Sequence, residues 1–344
     1  MKKYILILIS VFALSNTAKA QDDFQNILLT DAADANKLLQ AYFTPAMEGL
    51  IYGMNNGWYH TAKVHKVLGF DLTIGLSAAI VPSEKELFNI AALGLSSTIS
   101  STSPTASTFA GPNSTTTFTV TKNISGQNVT ASFNTPGGVT NDLPLNAVPA
   151  PVAQLNIGLP FKMEAMVRFF PETDLGKDGG KAKMLGLGLK KEITSWFGPL
   201  DKLPLHVSLL AAYTSMDVSY GFPNSTSGLI VNNGAAEFNL KAYTVQAIGS
   251  LNFPFINIYG GVGYSSGEST FKMTGTYTAE YDTGLPAPNN KVTQSVTAPN
   301  MNFNASGMKT TIGVRFSLLF LKIFADYTLQ EYNTVSAGIA LSIR

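Results

Sequence analysis

Lys309-Thr310-Thr311-Ile312-Gly313-Val314-Arg315-Phe316-Ser317-Leu318 sorts its side chains by parity. Thr310, Ile312, Val314, Phe316 and Leu318 fall on one side of an extended chain, while Lys309, Thr311, Gly313, Arg315 and Ser317 fall on the other. A β-strand turns successive side chains to opposite faces, so this stretch separates a greasy face from a charged one. Its length matches the ~9–11 residues with which a strand crosses a bilayer better than the ~5–6 of a globular sheet.

The same alternation recurs along the chain. Phe161, Met163, Ala165, Val167 and Phe169 alternate with Lys162, Glu164, Met166 and Arg168. Tyr243, Val245, Ala247, Leu251 and Phe253 alternate with Thr244, Gln246, Ser250 and Asn252. Phe70, Leu72, Ile74 and Leu76 lie opposite Asp71, Thr73 and Ser77, and Ala337, Ile339, Leu341 and Ile343 opposite Gly338, Ala340, Ser342 and Arg344. A soluble two-sheet sandwich also alternates. Three features separate the cases: ions of both signs on the polar faces, strand runs of membrane-crossing length, and aromatics at the ends of the apolar faces, such as Phe70, Phe161, Phe169, Tyr243 and Phe253.

Composition points the same way. Only 13% of residues are charged and 45% are apolar, against about 25% charged in globular chains. Beyond the N-terminus no apolar stretch reaches the ~18 residues of a transmembrane helix; Phe316 to Phe324, the longest candidate, is interrupted by Lys322. A closed antiparallel transmembrane β-barrel reconciles the two, because its strands are apolar only at every second residue. The chain has no cysteine, which excludes disulfides, zinc–thiolate and iron–sulfur sites and a cysteine nucleophile. A near-neutral charge gives no basic face for nucleic acid.

Lys2 and Lys3, the apolar run Tyr4 to Leu14 and the small-x-small phrase Ala18-Lys19-Ala20 read as a cleavable signal peptide over residues 1–20. Residues 21–62 are not strand-like. Phe24, Ile27, Leu28, Ala32, Ala35, Leu38, Leu39 and Tyr42 recur at helical spacing, and Thr44 before Pro45 reads as the cap of a second helix. A helical segment ahead of the first strand is expected to plug the lumen or sit at its mouth. The barrel then occupies residues 63–344, with later strands near 158–170, 183–193, 204–220, 236–253, 255–275, 300–319, 321–332 and 334–344. Ser, Thr, Asn, Gly and Pro dominate 96–146 and 265–304, which read as long outward loops; alternation at 115–121 and 129–133 adds a hairpin to the first. The length available suggests about fourteen strands, or twelve with bigger loops, since bacterial barrels favour even numbers.

The signal, the helical segment and Asn55-Asn56-Gly57-Trp58 leading into Gly69-Phe70-Asp71-Leu72 together resemble uncharacterised outer-membrane proteins of Bacteroidota. Those are similar to the long-chain fatty-acid transporter (FadL-like) superfamily. Pro45-Ala46-Met47-Glu48-Gly49-Leu50 is similar to the N-terminal phrase of that superfamily, with Thr44 in place of its Asn. The resemblance implies about fourteen strands, an N-terminal plug and passage of a hydrophobic compound.

Candidate functional residues follow from this layout. Asp71, Lys162, Glu164, Arg168, Lys190, Glu192, Lys309, Arg315 and Asp326 are expected in the lumen, where isolated ions are expensive and opposite signs should pair. Such a network serves first to hold the barrel and plug. Tyr42, Phe43, Met47, Met54, Trp58 and Tyr59 are the candidates for an apolar ligand, because Met and aromatics make adaptable apolar contacts. His60 and His65, five residues apart without an acidic cluster beside them, read as solvated residues near the mouth, and neither a metal nor a cofactor is expected. His206 and Ser208 resemble the His-x-Ser pair of outer-membrane phospholipases, but Leu203-Pro204-Leu205-His206-Val207-Ser208 lacks the rest of that signature and the phase turns both residues inward. No catalytic residue is therefore assigned, and a lipid hydrolase is the remote reading. Two functions stay open for a protein of the cell outer membrane. One is a passive uptake channel for a small hydrophobic compound, gated by the N-terminal segment. The other is a non-transporting scaffold or secretion partner contacting a protein through its extracellular loops. Outer-membrane lipid surrounds either.

Overall fold

The computed structural model describes residues 27–124, 126–140, 144–175, 180–225, 229–287 and 290–343; the signal-peptide reading falls outside them. Among the described residues one α-helix, α1 (Ala32–Met54), precedes ten long strands: β1 (Phe70–Ile80), β2 (Ala147–Leu159), β3 (Met163–Leu175), β4 (Gly180–Glu192), β5 (Leu205–Gly221), β6 (Leu229–Asn252), β7 (Ile256–Asp282), β8 (Asn300–Leu318), β9 (Leu321–Leu329) and β10 (Thr334–Ile343). Each pairs antiparallel with its sequence neighbour, and β1 pairs with β10 from Phe70↔Ile343 to Ala79↔Thr334, so the sheet closes into a ring. Residues 291–296 add a short strand outside the ring, on the upper part of β7.

The ring has ten strands, not the fourteen or twelve expected. Four strands are very long, at 17, 24, 27 and 19 residues for β5 to β8, and consume chain that shorter strands would have shared out. The loop expected over 265–304 is mostly strand, since β7 runs on to Asp282 and β8 begins at Asn300. Its polar composition misleads because only one face needs to be apolar: Phe271, Met273, Tyr277 and Tyr281 all point inward and are buried. Residues 81–146 supply no ring strand. They form a cap with two small sheets, including the hairpin Thr117–Ile124/Gln127–Asn134.

The connections at the two ends of the ring differ. At one end are the turns 160–162, 253–255 and 319–320, with the longer link 193–204; at the other are the cap and the connections around 222–228, 283–299 and 330–333. Phe161 and Lys162 belong to the first set. Both are exposed with positive φ (63° and 54°) in the turn before β3, so neither lies on a strand and Lys162 is not an inward charge. A three-residue connection requires this left-handed backbone, which overrides the alternation they continue in sequence.

Outward-facing side chains form a continuous apolar belt. Tyr243, Val245, Ala247 and Leu251 on β6, Ile258, Val262 and Tyr264 on β7, and Met308, Ile312, Phe316 and Leu318 on β8 are all exposed. Toward the long-connection end the outward positions turn ionic, with the pairs Lys183–Asp217 (3.4 Å) and Lys241–Glu268 (3.9 Å). Tyr213 pairs with Tyr243 in register at that border, and Phe253, Phe255 and Phe320 crowd the opposite one.

Candidate functional site

The interior of the ring is occupied by the chain's own segment that ends at about residue 66. α1 packs against β1, β2, β6, β7 and β8. Its residues 49–54 are buried without interruption, as a helix enclosed on all sides must be. It is one helix and not two. Pro45 sits inside it, and the Thr44 hydroxyl bonds the Gln40 carbonyl at 2.6 Å. Proline removes one helical hydrogen bond, yet the helix continues beyond it to Met54.

At the long-connection end the segment is apolar. The Tyr42 ring meets Phe43 and Phe109 edge-on, and its hydroxyl donates to the Gly137 carbonyl (3.0 Å). Phe43 stacks on Phe271 with centroids 5.2 Å apart, and Met47 lies beside Ser269. Lower down, Trp58 is 1% exposed, with the Arg168 guanidinium 4.1 Å over its ring, and Tyr59 packs on Tyr259. Gly186 and Gly188 make room for the indole. A Cβ on either would lie 3.0–3.1 Å from its carbons. Of the six residues proposed for an apolar ligand, Tyr42, Met54, Trp58 and Tyr59 are buried and Phe43 and Met47 half-buried, each packed on the protein's own chain. Cavities of about 380 and 280 Å³ lie instead on the outer wall, lined by outward residues such as Tyr243, Lys241 and Glu268 in one and Lys183 and Asp217 in the other.

The inward charges converge on the backbone of the threaded segment. Arg168 donates to the carbonyls of Met54 (3.0 Å) and Asn56 (3.1 Å), and Lys309 to that of Asn55 (2.7 Å). These are the last carbonyls of α1 and its cap, which have no helical partner and carry the negative end of the helix dipole. Below them Gln154 donates to Trp58 (3.0 Å), Lys190 to Thr61 (3.4 Å) and Ser208 to Ala62 (2.5 Å). Glu192 accepts from the Val64 amide (3.2 Å) and Glu164 from the His65 amide (3.0 Å). Ser208 is thus bound to the segment, and His206 faces Glu192 at 2.9 Å.

The two histidines of the segment are not solvated at a mouth. His65 Nδ1 lies 2.7 Å from Glu164, its Nε2 3.3 Å from Asp71, and His60 Nε2 3.5 Å from the same Asp71 oxygen. Arg315 Nη1 is 3.0 Å from His60 Nδ1. A guanidinium only donates, so Nδ1 accepts and the ring proton sits on Nε2, toward Asp71. Lys190 closes the group at 2.7 Å from Glu164. Asp326 stands apart, accepting from Tyr259 at 2.9 Å. The acidic partners come from β1 and β3, Asp71 a short way beyond the histidines and Glu164 far along the chain, and their inward phase was the one signal for them. Among the described residues no group of three or more His, Cys, Asp or Glu is arranged to hold a metal ion.

Among solved structures the chain is similar to Ail, the attachment invasion locus protein of Yersinia pestis, at 9% identity and a TM-score of 0.26 over 81% of this chain and 100% of that one. It is similar to the translocator domain of autotransporter NalP from Neisseria meningitidis at 10% identity and 0.26, covering 81% and 90%. The Pseudomonas putida toluene transporter TodX follows at 7% identity and 0.24, covering 86% and 97%. No curated protein matches the chain. Residues 1–343 match the model of a family of unknown function, DUF6588, and the chain belongs to that family.

Proposed function

We propose that this chain is an outer-membrane β-barrel, exported by its N-terminal signal, whose lumen is stoppered by its own residues 27–66. Its work is then done at its surface, as a scaffold. The outward belt supports the membrane setting. Tyr243 to Leu251 spans about 26 Å along the strand at ~3.3 Å per residue, or roughly 20 Å along the axis of a barrel tilted by ~40°, close to the ~25 Å apolar band of such barrels, and aromatics line both borders. The short turns mark the periplasmic end and the cap the outside.

The observation that carries the sealed reading is the set of bonds from the wall to consecutive carbonyls and amides of residues 54–65. Passage of a hydrophobic compound would require this segment to leave. Its charge-assisted bonds are worth ~1.5–3 kcal/mol each, so several broken together weigh against routine opening. The ten-strand ring also supports it, because an eight-stranded barrel is just wide enough for side chains and porins need about sixteen strands for a channel. The cap, residues 81–146, is the contact surface in this reading. The purified protein in a planar bilayer is expected to be electrically silent, and native mass spectrometry to find it without a lipid but with a protein partner. A stable open conductance and a bound apolar molecule would restore the uptake reading.

A further inference from the structure

Strands of unequal length leave three stretches of the ring without a neighbouring strand on one side, all toward the long-connection end. On β6, residues 229–234 extend beyond β5, and the connection that follows β5 covers them: Phe222 donates to Gly234, and Ser225 and Val231 exchange main-chain bonds. On β3, residues 169–175 extend beyond the last pair with β2, Gln154↔Arg168. On β8, residues 300–309 extend beyond the last pair with β9, Thr310↔Leu329, about 30 Å of strand at ~3.4 Å per residue. An unpaired edge is a template for another strand, and proteins guard such edges with proline, charge or a bulge. The β3 edge has all three: Pro149 and Pro151 on the facing β2, and Pro171, Glu172, Asp174 and a bulge between Phe170 and Thr173 on β3 itself. The β8 edge has none. Its outward row is Asn300, Asn302, Asn304, Ser306 and Met308, all exposed, and its register with β7 is unbroken.

In an antiparallel strand the N–H and C=O of one residue point to the same side, and successive residues alternate sides. The carbonyls of Asn302 and Ser306 accept from Gln40 Nε2 (2.9 Å) and the Tyr52 hydroxyl (3.1 Å) of α1, so the even residues of β8 point away from β7. Among the described residues no main-chain group reaches the amides of Asn302, Asn304 and Ser306 or the carbonyl of Asn304 from that side. The Gln40–Asn302 bond is itself exposed, so the edge opens to water. Behind it lies α1, with Lys37 and Gln40 exposed and Thr44 half-buried. Asn304 pairs with Glu268, which stands opposite Lys241 in the ionic zone beyond the apolar belt. From Asn304 upward the edge therefore lies outside the belt, on the side of the cap.

We propose that this edge is a docking strand: an extended segment of a second protein at the cell surface adds antiparallel to residues 300–306 of β8 and completes the wall in front of α1. Main-chain bonds to the even residues supply the affinity, and side-chain neighbours the selectivity. Those neighbours are Asn302, Asn304 and Ser306 on the outer face and Lys37, Gln40 and Thr44 on the inner one. The segment that fits them is uncharged, polar and β-prone, rich in Thr, Ser, Asn or Gln. A second copy in the same membrane is not the occupant. Two barrels inserted alike hold their β8 strands at the same tilt of ~40°, so their edges cross when brought face to face and cannot run alongside. The docking strand gives the scaffold a contact beside the cap, and it rests on the outer-membrane scaffold reading.

Residue-resolved amide hydrogen exchange on the full chain tests this in two settings: the purified protein in phosphatidylcholine vesicles, and outer-membrane fragments of the cells that make it naturally. In vesicles the amides of Asn302, Asn304 and Ser306 are expected to exchange freely, while those of Met301, Phe303 and Ala305, turned toward β7, are protected. In the native membranes exchange at the three even positions should slow by at least about tenfold. Asn304→Pro removes a donor that β7 does not use, a place where a strand tolerates proline. In that variant the odd positions should stay protected, which shows that the wall is intact, and the slowing at Asn302 and Ser306 should be lost. Free exchange at the even positions in native membranes, slowing there already in plain vesicles, or slowing that survives Asn304→Pro overturns the proposal while leaving the barrel in place. Recovery of the chain among the soluble proteins of the cell overturns the outer-membrane reading beneath it.

Discussion

The Lys309 ammonium lies 2.7 Å from the main-chain carbonyl of Asn55, the residue that caps the C-terminus of α1, and both are buried. Wall and segment therefore meet through a charge placed at the negative end of a helix. Lys309→Met keeps most of the volume and removes the donor. The Asn55 carbonyl is then left unbonded in the interior, at a cost of about 1–3 kcal/mol. Arg168→Met removes two carbonyl bonds, the Gln154 bonds and the stacking on Trp58, and should cost more, about 3–5 kcal/mol. Denaturant unfolding of the detergent-solubilised barrel checks the order; equal stability of all three proteins would contradict the clamp.

Trp58 and Gly188 give a second, independent probe. The indole lies where a Gly188 side chain would stand, so Gly188→Val overpacks the site and should destabilise by about 1–3 kcal/mol. Trp58→Ala leaves a hole and should cost about 3–5 kcal/mol. The double variant should cost less than the sum, since the valine partly refills the space. A double-mutant cycle with strictly additive effects would mean that the two do not touch.

At the outer end Lys85 lies 2.6 Å from Glu48 and 2.5 Å from Glu331. Burial opposes these charges, but the carboxylates outweigh it and hold the Lys85 pKa above its ordinary value. Lys85 and the Tyr52 hydroxyl likewise hold the Glu331 carboxyl below the usual range against burial. The Glu331 contribution is present above its unfolded pKa of ~4.3 and lost as pH falls through the lower folded value. That of Lys85 is present below ~10.4 and lost as pH rises through the higher folded value. Melting temperature should therefore be flat at neutral pH and fall in acid, by an amount set by at most ~1 kcal/mol for so exposed a pair. Glu331→Gln should lower the neutral plateau and shrink the acid fall. An acid limb unchanged by the substitution would remove Glu331 from the cause.

The period-two faces were legible because they are local; Lys309 to Leu318 needs no partner to declare itself. The number of strands was not, because the upper part of β7 turns its aromatics inward and its polar face to water, and so reads as loop. Lys162 misled by continuing an alternation across a turn. Asp71, Glu164, Arg168, Lys190, Glu192, Lys309, Arg315 and Asp326 were recognisable as inward residues by phase alone. What they bind was not: Glu164, Arg168, Lys190, Glu192 and Lys309 reach backbone carbonyls and amides of residues 54–65, which carry no sequence signal, and Asp71, Arg315 and Asp326 meet the side chains of His60, His65 and Tyr259. His60 and His65 misled because their acids, Asp71 and Glu164, sit on β1 and β3 and are brought to them only by the closed fold.

The central claim is that one wall separates lipid from a filled interior, and nitroxide scanning of β6 from Tyr243 to Leu251 in lipid vesicles tests it most directly. Each position in turn is changed to cysteine in a chain that otherwise has none, and collision rates with oxygen and with a water-soluble nickel complex are measured. Positions 243, 245, 247, 249 and 251 should show high oxygen and low nickel accessibility, and 244, 246, 248 and 250 should be shielded from both by the threaded segment. Even-numbered positions open to nickel would contradict the filled interior, and odd-numbered positions open to nickel would contradict the lipid-facing wall.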